Sequence, residues 1–174
     1  MEFKLGEAVE VLRNTPAVLR AMLAGLSEPW IRNKYGPDTF SPFDVVGHLI
    51  HGERTDWIPR TKVILEHGPA KTFESFDRFA MYEDSKGKAL AELLDTFEQL
   101  RCQNLDTLQS LRLTPRSLSL KGRHPELGEV TLGHHLATWV VHDLNHIHQI
   151  AKCLAWQYRE AIGPWRGYVG VLGS

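Results

Sequence analysis

Histidine is the residue through which this chain could do chemistry. There are nine in 174 residues, and most fall in two windows: His48 and His51, then His134, His135, His142, His146 and His148. Imidazole titrates near neutral pH and is a common ligand for transition metals. Winding residues 131–159 at about 100° per residue, with His135 at zero, puts His142 near 340°, His146 near 20°, Gln149 near 320° and Cys153 near 0°. Leu136, Val140, Ile147, Ile150 and Leu154 run beside that stripe, so the imidazoles line the edge of a buried face. His142 and His146 stand i and i+4, about 6 Å apart at Cβ, which lets two rings reach one ion. The pair alone fits two readings: a metal site, or two core histidines held by several hydrogen-bond partners.

The first window adds a third imidazole. His48 lies beside the stripe of Val45, Leu49 and Gly52, again at the edge of an apolar face. Gly52, one turn on, has no side chain and admits a close neighbour. If this helix faces the last one, His48, His142 and His146 form a three-nitrogen site with an open position, the layout of a catalytic metal centre. His51 is turned about 60° from His48 by helical winding, which suits a solvated, capping or supporting role rather than a fourth ligand. His135 is two turns before His142, about 10 Å along the axis, too far for the same ion but able to line a pocket. Asp143 winds to about 80°, into the apolar stripe, where a carboxylate needs a partner. It is expected to bond an arginine or the first helices, or to orient a ligand; the competing role is a base for metal-bound water. Cys153 and Cys102 read as small core or inert residues.

These side chains need helices to position them. Residues 5–26 read helical with a break at Thr15-Pro16, Thr15 serving as N-cap and Pro16 as first residue of a second helix. Residues 27–40 read as a loop. Ser41-Pro42-Phe43-Asp44 is a capping box, opening an amphipathic run to about His67 that Pro59 should kink or break. Residues 68–85 read as a long loop. Residues 86–112 are the cleanest helix, with Leu90, Leu93, Leu94, Phe97, Leu100 and Leu108 in register. Residues 113–130 read as another loop, and Thr131 caps a last helix to about Arg159. No run of period two is strong enough to predict a sheet. The expectation is an all-α bundle of four main helices with long connections, one domain over 1–174.

Composition limits the function. Twenty Lys+Arg against 21 Asp+Glu give a net charge of −1, so no overall basic field invites nucleic acid. Arg54, Arg60, Arg116, Lys121 and Arg123 remain candidates for an anionic substrate. Two cysteines cannot make a disulfide framework. Neither a secretory leader nor an apolar window of about 18 residues is evident, so a cytoplasmic location without membrane contact is expected. There is no Glu-x-x-His for a di-iron bundle, no Walker loop, no Gly-x-Gly-x-x-Gly and no Gly-x-Ser-x-Gly; no nucleotide cofactor is expected.

Ser41-Pro42-Phe43-Asp44-Val45-Val46-Gly47-His48-Leu49-Ile50 together with His142-Asp143-Leu144-Asn145-His146-Ile147-His148-Gln149-Ile150 resembles the DinB superfamily, the DinB/YfiT-like metalloenzymes. The early Leu-Arg-x-Thr-Pro segment and Gly25-Leu26 before Trp30 are similar too. The resemblance implies a DinB-like four-helix bundle of up-down-down-up topology. It implies a divalent metal, nickel or zinc, held by His48, His142 and His146. Gln149 matches the family pattern; His148 departs from it and winds away from the stripe. The resemblance further implies an enzyme using a low-molecular-weight thiol to attack small electrophiles, a thiol S-transferase. Alternatives are a metal-dependent hydrolase and, from another class, a non-catalytic metal-binding or stress-related module. It also implies a homodimer, for which the tail residues Trp165, Tyr168, Val169, Val171 and Leu172 offer an apolar surface.

Overall fold

The computed structural model describes residues 2–173. Four long helices carry it: α1 (Leu5–Leu23), α3 (Pro42–Thr55), α6 (Leu90–Ser110) and α8 (Leu132–Trp156). Shorter pieces fill the connections: α2 (Glu28–Arg32), α4 (Trp57–His67), α5 (Met81–Asp84) and α7 (Pro115–Leu118). A two-stranded antiparallel hairpin, β1 (Lys121–His124) and β2 (Gly128–Thr131), precedes α8. Helices α1 and α3 each pack against both α6 and α8, so α1 and α3 face each other across the diagonal of a four-helix bundle. No helix among the described residues is long and apolar enough to cross a membrane.

Two apolar clusters fill the bundle. One joins Leu19, Leu23, Val46, Leu49, Phe97 and Ile150; the other joins Leu12, Trp57, Ile64, Leu108, Leu136 and Trp139. His48, His142 and His146 lie on α3 and α8, and the buried ionic groups Glu53, Arg101 and Asp143 on α3, α6 and α8, with Thr15 of α1 joining them. The Ser41 capping box forms in full: Ser41 Oγ accepts from the Asp44 N–H at 3.2 Å, and Asp44 accepts from the Ser41 N–H at 3.0 Å. Such a cap contributes about 1 kcal/mol and fixes where α3, and so His48, begins. Thr131 caps α8 in the same way through the His134 N–H at 3.1 Å. The α3–α4 break falls at Asp56, with Pro59 in the first turn of α4, where it needs no hydrogen bond to donate.

The structure corrects four local expectations. Residues 5–26 do not form two helices: α1 runs unbroken through Thr15 and Pro16, and Thr15 is no N-cap. Proline cannot bond the carbonyl four residues back, which is Leu12 O. That carbonyl instead accepts from Arg101 Nη1 at 2.8 Å, so the lost helical bond is replaced from α6. Residues 113–130 hold a turn of helix and the hairpin, not a loop alone. Its strands are four residues each, too short to show alternation. The segments read as loops at 27–40 and 68–85 contain α2 and α5. Finally, α8 stops at Trp156. The tail continues in 3₁₀ turns, with Leu172 packed inward and Trp165 and Tyr168 exposed.

Candidate metal centre

His48 on α3 and His142 and His146 on α8 point their Nε2 atoms at one spot. His48 Nε2 lies 3.2 Å from His142 Nε2, which lies 3.1 Å from His146 Nε2. The three ligand atoms all fall within 4.8 Å of one another. Nitrogens bound tetrahedrally to zinc at about 2.0–2.1 Å stand about 3.3 Å apart, so these separations suit one shared ion. His48 and His146 are buried and His142 is half-buried.

Burial, then the neighbouring rings, lower the affinity of this cluster for protons. The His48 pKa falls to about 3, by desolvation first and then by the charges of His146 and Arg78; the Arg78 carbonyl pulls the other way. His142 falls to about 2 for the same leading reason, helped by His146 and His48. His146 is also lowered by burial, partly offset by Gln149 and Asp143. Neutral imidazoles keep the lone pairs a metal requires. His48 Nδ1 and His142 Nδ1 are buried and make no well-aligned hydrogen bond among the described residues. Two imidazoles with a buried, poorly bonded nitrogen, beside a third, are a costly way to fill a core, and the donor set of the three fits a divalent cation.

Two neighbours hold the rings. His146 Nδ1 donates to Gln149 Oε1 at 2.8 Å, which fixes the tautomer with its Nε2 lone pair inward. His142 meets the edge of Trp57 at 5.1 Å between centroids, and Trp57 stacks on Trp139 at 5.5 Å and 7°. Gly52 makes room for that indole: a Cβ there would lie 3.3 Å from Trp57 Nε1. The glycine singled out in the sequence thus admits a side chain that orients His142.

The other candidates stand apart from the cluster. His51 Nδ1 faces Asp84 at 3.9 Å, and its ring packs on Phe76. His135 donates from Nε2 to Trp57 O at 3.0 Å and lines a cavity; burial lowers its pKa to about 4. His148 is exposed on the wall of a second cavity. Cys153 is buried, its Sγ against Phe40 O at 3.3 Å, and burial raises its pKa to about 11.

Asp143 is engaged elsewhere. Its Oδ2 accepts from Arg101 Nη1 at 2.6 Å and from Thr15 Oγ1 at 2.6 Å, and its Oδ1 accepts from Arg101 Nη2 at 3.0 Å. Arg101 also donates to Glu53 Oε1 at 2.8 Å, and Trp139 Nε1 and Asn104 Nδ2 complete the Glu53 carboxylate. Arg101, Asp143 and Glu53 are all essentially buried. Sequence reading missed Arg101 and Glu53. Their signal was a charge inside an apolar stripe: Arg101 four residues from Phe97 and Leu105, Glu53 four residues from Leu49. Among the basic candidates, Arg60 lines a cavity and pairs with Asp56 at 3.1 Å; Arg54 pairs with Asp84 and Lys121 with Glu129 on the surface.

The architecture is a four-helix bundle in which three imidazoles from the second and last long helices converge, a group that could hold one metal ion. The chain belongs to the DinB superfamily, whose family model matches residues 12–150. No curated protein matches it. Among solved structures it is similar to YfiT from Bacillus subtilis, with a TM-score of 0.74 and 23% identity over 91% of this chain and 87% of that one. That protein is described as a probable metal-dependent hydrolase with an unusual four-helix bundle topology. At that identity the likeness carries the fold.

Proposed function

We propose that this chain is a metal-dependent enzyme in which His48, His142 and His146 hold nickel or zinc and a low-molecular-weight thiol is transferred to a small electrophile. The observation that carries this reading is a pair of cavities meeting at the three imidazoles. One, of about 470 Å³, borders His48 and His146 beside Arg78, Gln149 and Lys152. The other, of about 310 Å³, borders His48 and His142 and is walled by Trp57, Phe73, Phe76 and Leu127. Two compartments at one centre, one of mixed lining with basic and amide groups and one mainly apolar, with Arg78 bordering both, suit two substrates, a polar thiol and an apolar electrophile. His48, His142 and His146 would hold the divalent cation, which would supply Lewis acidity to lower the pKa of a thiol bound beside it. The protein supplies the rest: Gln149 and Trp57 hold the rings, and the aromatic wall excludes water from the electrophile.

Asp143 and Glu53 are committed to Arg101, which removes both as bases for hydrolysis. Hydrolysis remains the second reading because of Asp56. Its carboxylate lines the apolar cavity, and burial raises its pKa to about 6, a suitable value for a general base. The two readings separate in one assay. Zinc- or nickel-loaded protein is incubated with an aryl halide or an aryl ester, with and without a panel of thiols, and products are identified by mass. S-transfer predicts thioether that requires thiol and is lost in His142→Ala. Thiol-independent ester cleavage that is lost in Asp56→Asn would overturn it in favour of hydrolysis.

A further inference from the structure

Several basic residues of this protein face acids. Arg20 pairs with Asp95 and Glu98, Arg54 with Asp84, Arg60 with Asp56, and Arg101 with Asp143 and Glu53. Arg78 and Lys152 do not: among the described residues neither makes an ion pair or a side-chain hydrogen bond. Both line the larger cavity, and no Asp or Glu does. Their positions are set by aromatic faces. The Arg78 guanidinium lies 5.4 Å from the Phe40 ring centre, and Lys152 Nζ lies 5.1 Å from that of Tyr35. Asn145 and Gln149 add amide groups to the same wall.

Exposed Arg78 and half-buried Lys152 border this cavity without an acidic partner among the described residues, beside a centre that would itself hold a dication. A cavity so lined favours an anion over a neutral or cationic guest. A guanidinium and an ammonium on aromatic supports, with amide donors between them, match a carboxylate or phosphate oxyanion. We infer that the larger cavity binds the oxyanionic end of the co-substrate, and that Arg78 and Lys152 determine specificity for a thiol carrying such a group over a neutral one. This rests on the thiol reading above for the identity of the co-substrate, but not for the oxyanion site itself.

Two arms test it. In the first, succinate and inorganic phosphate are titrated into the zinc-supplemented protein, followed by the NMR shifts of the Asn145 and Gln149 side-chain amides. Binding of either is expected, and which of them binds tells carboxylate from phosphate. Arg78→Gln and Lys152→Gln should each weaken it at least about tenfold, the scale of one charge-assisted hydrogen bond, while the distant Arg166→Gln leaves it unchanged. Absence of binding at millimolar concentrations, or binding unaltered by both substitutions, overturns the inference. In the second arm, mercaptosuccinate and 2-mercaptoethanol are compared on cobalt-substituted protein by their sulfur-to-metal absorption. Mercaptosuccinate should bind at least about tenfold more tightly, and Arg78→Gln should erase the difference. Equal affinity overturns the inference and leaves thiol chemistry standing. Oxyanion binding with no thiol ligation supports the site and removes the thiol reading.

Discussion

His142 and Asp143 are neighbours in the chain and belong to opposite kinds of site. Asp143 joins a buried ionic network in which both its oxygens, the Arg101 guanidinium and the Glu53 carboxylate find partners from α1, α3, α6 and α8. His142 joins a cluster in which His48 and His142 each have a buried Nδ1 with no well-aligned hydrogen bond among the described residues, and ring nitrogens stand 3.1–3.2 Å apart. The difference is one of saturation. A network with every group satisfied fixes the register of four helices and has nothing left to offer a ligand. A cluster of neutral donors keeps bonding capacity that a ligand can take up. One helical step on α8 separates the two.

The largest effect should come from breaking the satisfied side. Arg101→Met leaves Asp143 and Glu53 buried without their counter-ion and frees Leu12 O; a loss of about 3–5 kcal/mol is expected in denaturant unfolding. A midpoint unchanged from wild type would mean that the network does not hold the helices.

A second test uses pH. His135 is neutral in the fold, with a pKa of about 4 against 6.5 for an unperturbed imidazole. Between those values the unfolded chain takes up a proton that the folded chain refuses, so stability is full above 6.5 and falls as pH drops toward 4. The contribution is up to about 3 kcal/mol. Asp56 acts in the opposite direction, since its pKa is raised from 3.8 to about 6. Comparing wild type with His135→Gln isolates the histidine: their stability difference should change with pH across this window, and a constant difference would count against it.

The smallest effect sharpens the unsaturated side. Gln149→Leu removes the acceptor that fixes His146, and metal affinity should fall about 10–100-fold with little change in metal-free stability. An affinity equal to wild type would show that the tautomer is set otherwise.

Much of this was legible in the sequence, and for identifiable reasons. The convergence of His142 and His146 follows from i, i+4 spacing on one helix, and the Ser41 box fixes the start of α3 from four adjacent residues. Both are local. The continuity of α1 through Pro16 depends on Arg101, a residue 85 positions later, and no local rule anticipates that donor. Arg101 and Glu53 were visible as charges within apolar stripes, but their pairing is a tertiary fact. The hairpin at 121–131 escaped because its strands are only four residues each and mostly half-buried or exposed, so burial left no alternation to read.

The central claim is that three imidazoles form an open metal site. It is tested most directly by substituting cobalt and recording its spectrum with and without a small thiol. The account predicts a three-histidine centre whose absorption gains a sulfur-to-metal band on thiol addition, a response preserved in His51→Ala and lost, with the metal, in His142→Ala and His146→Ala. A closed four-nitrogen spectrum that ignores thiols until His51→Ala opens it, or metal held as tightly after all three histidines are replaced, would contradict it.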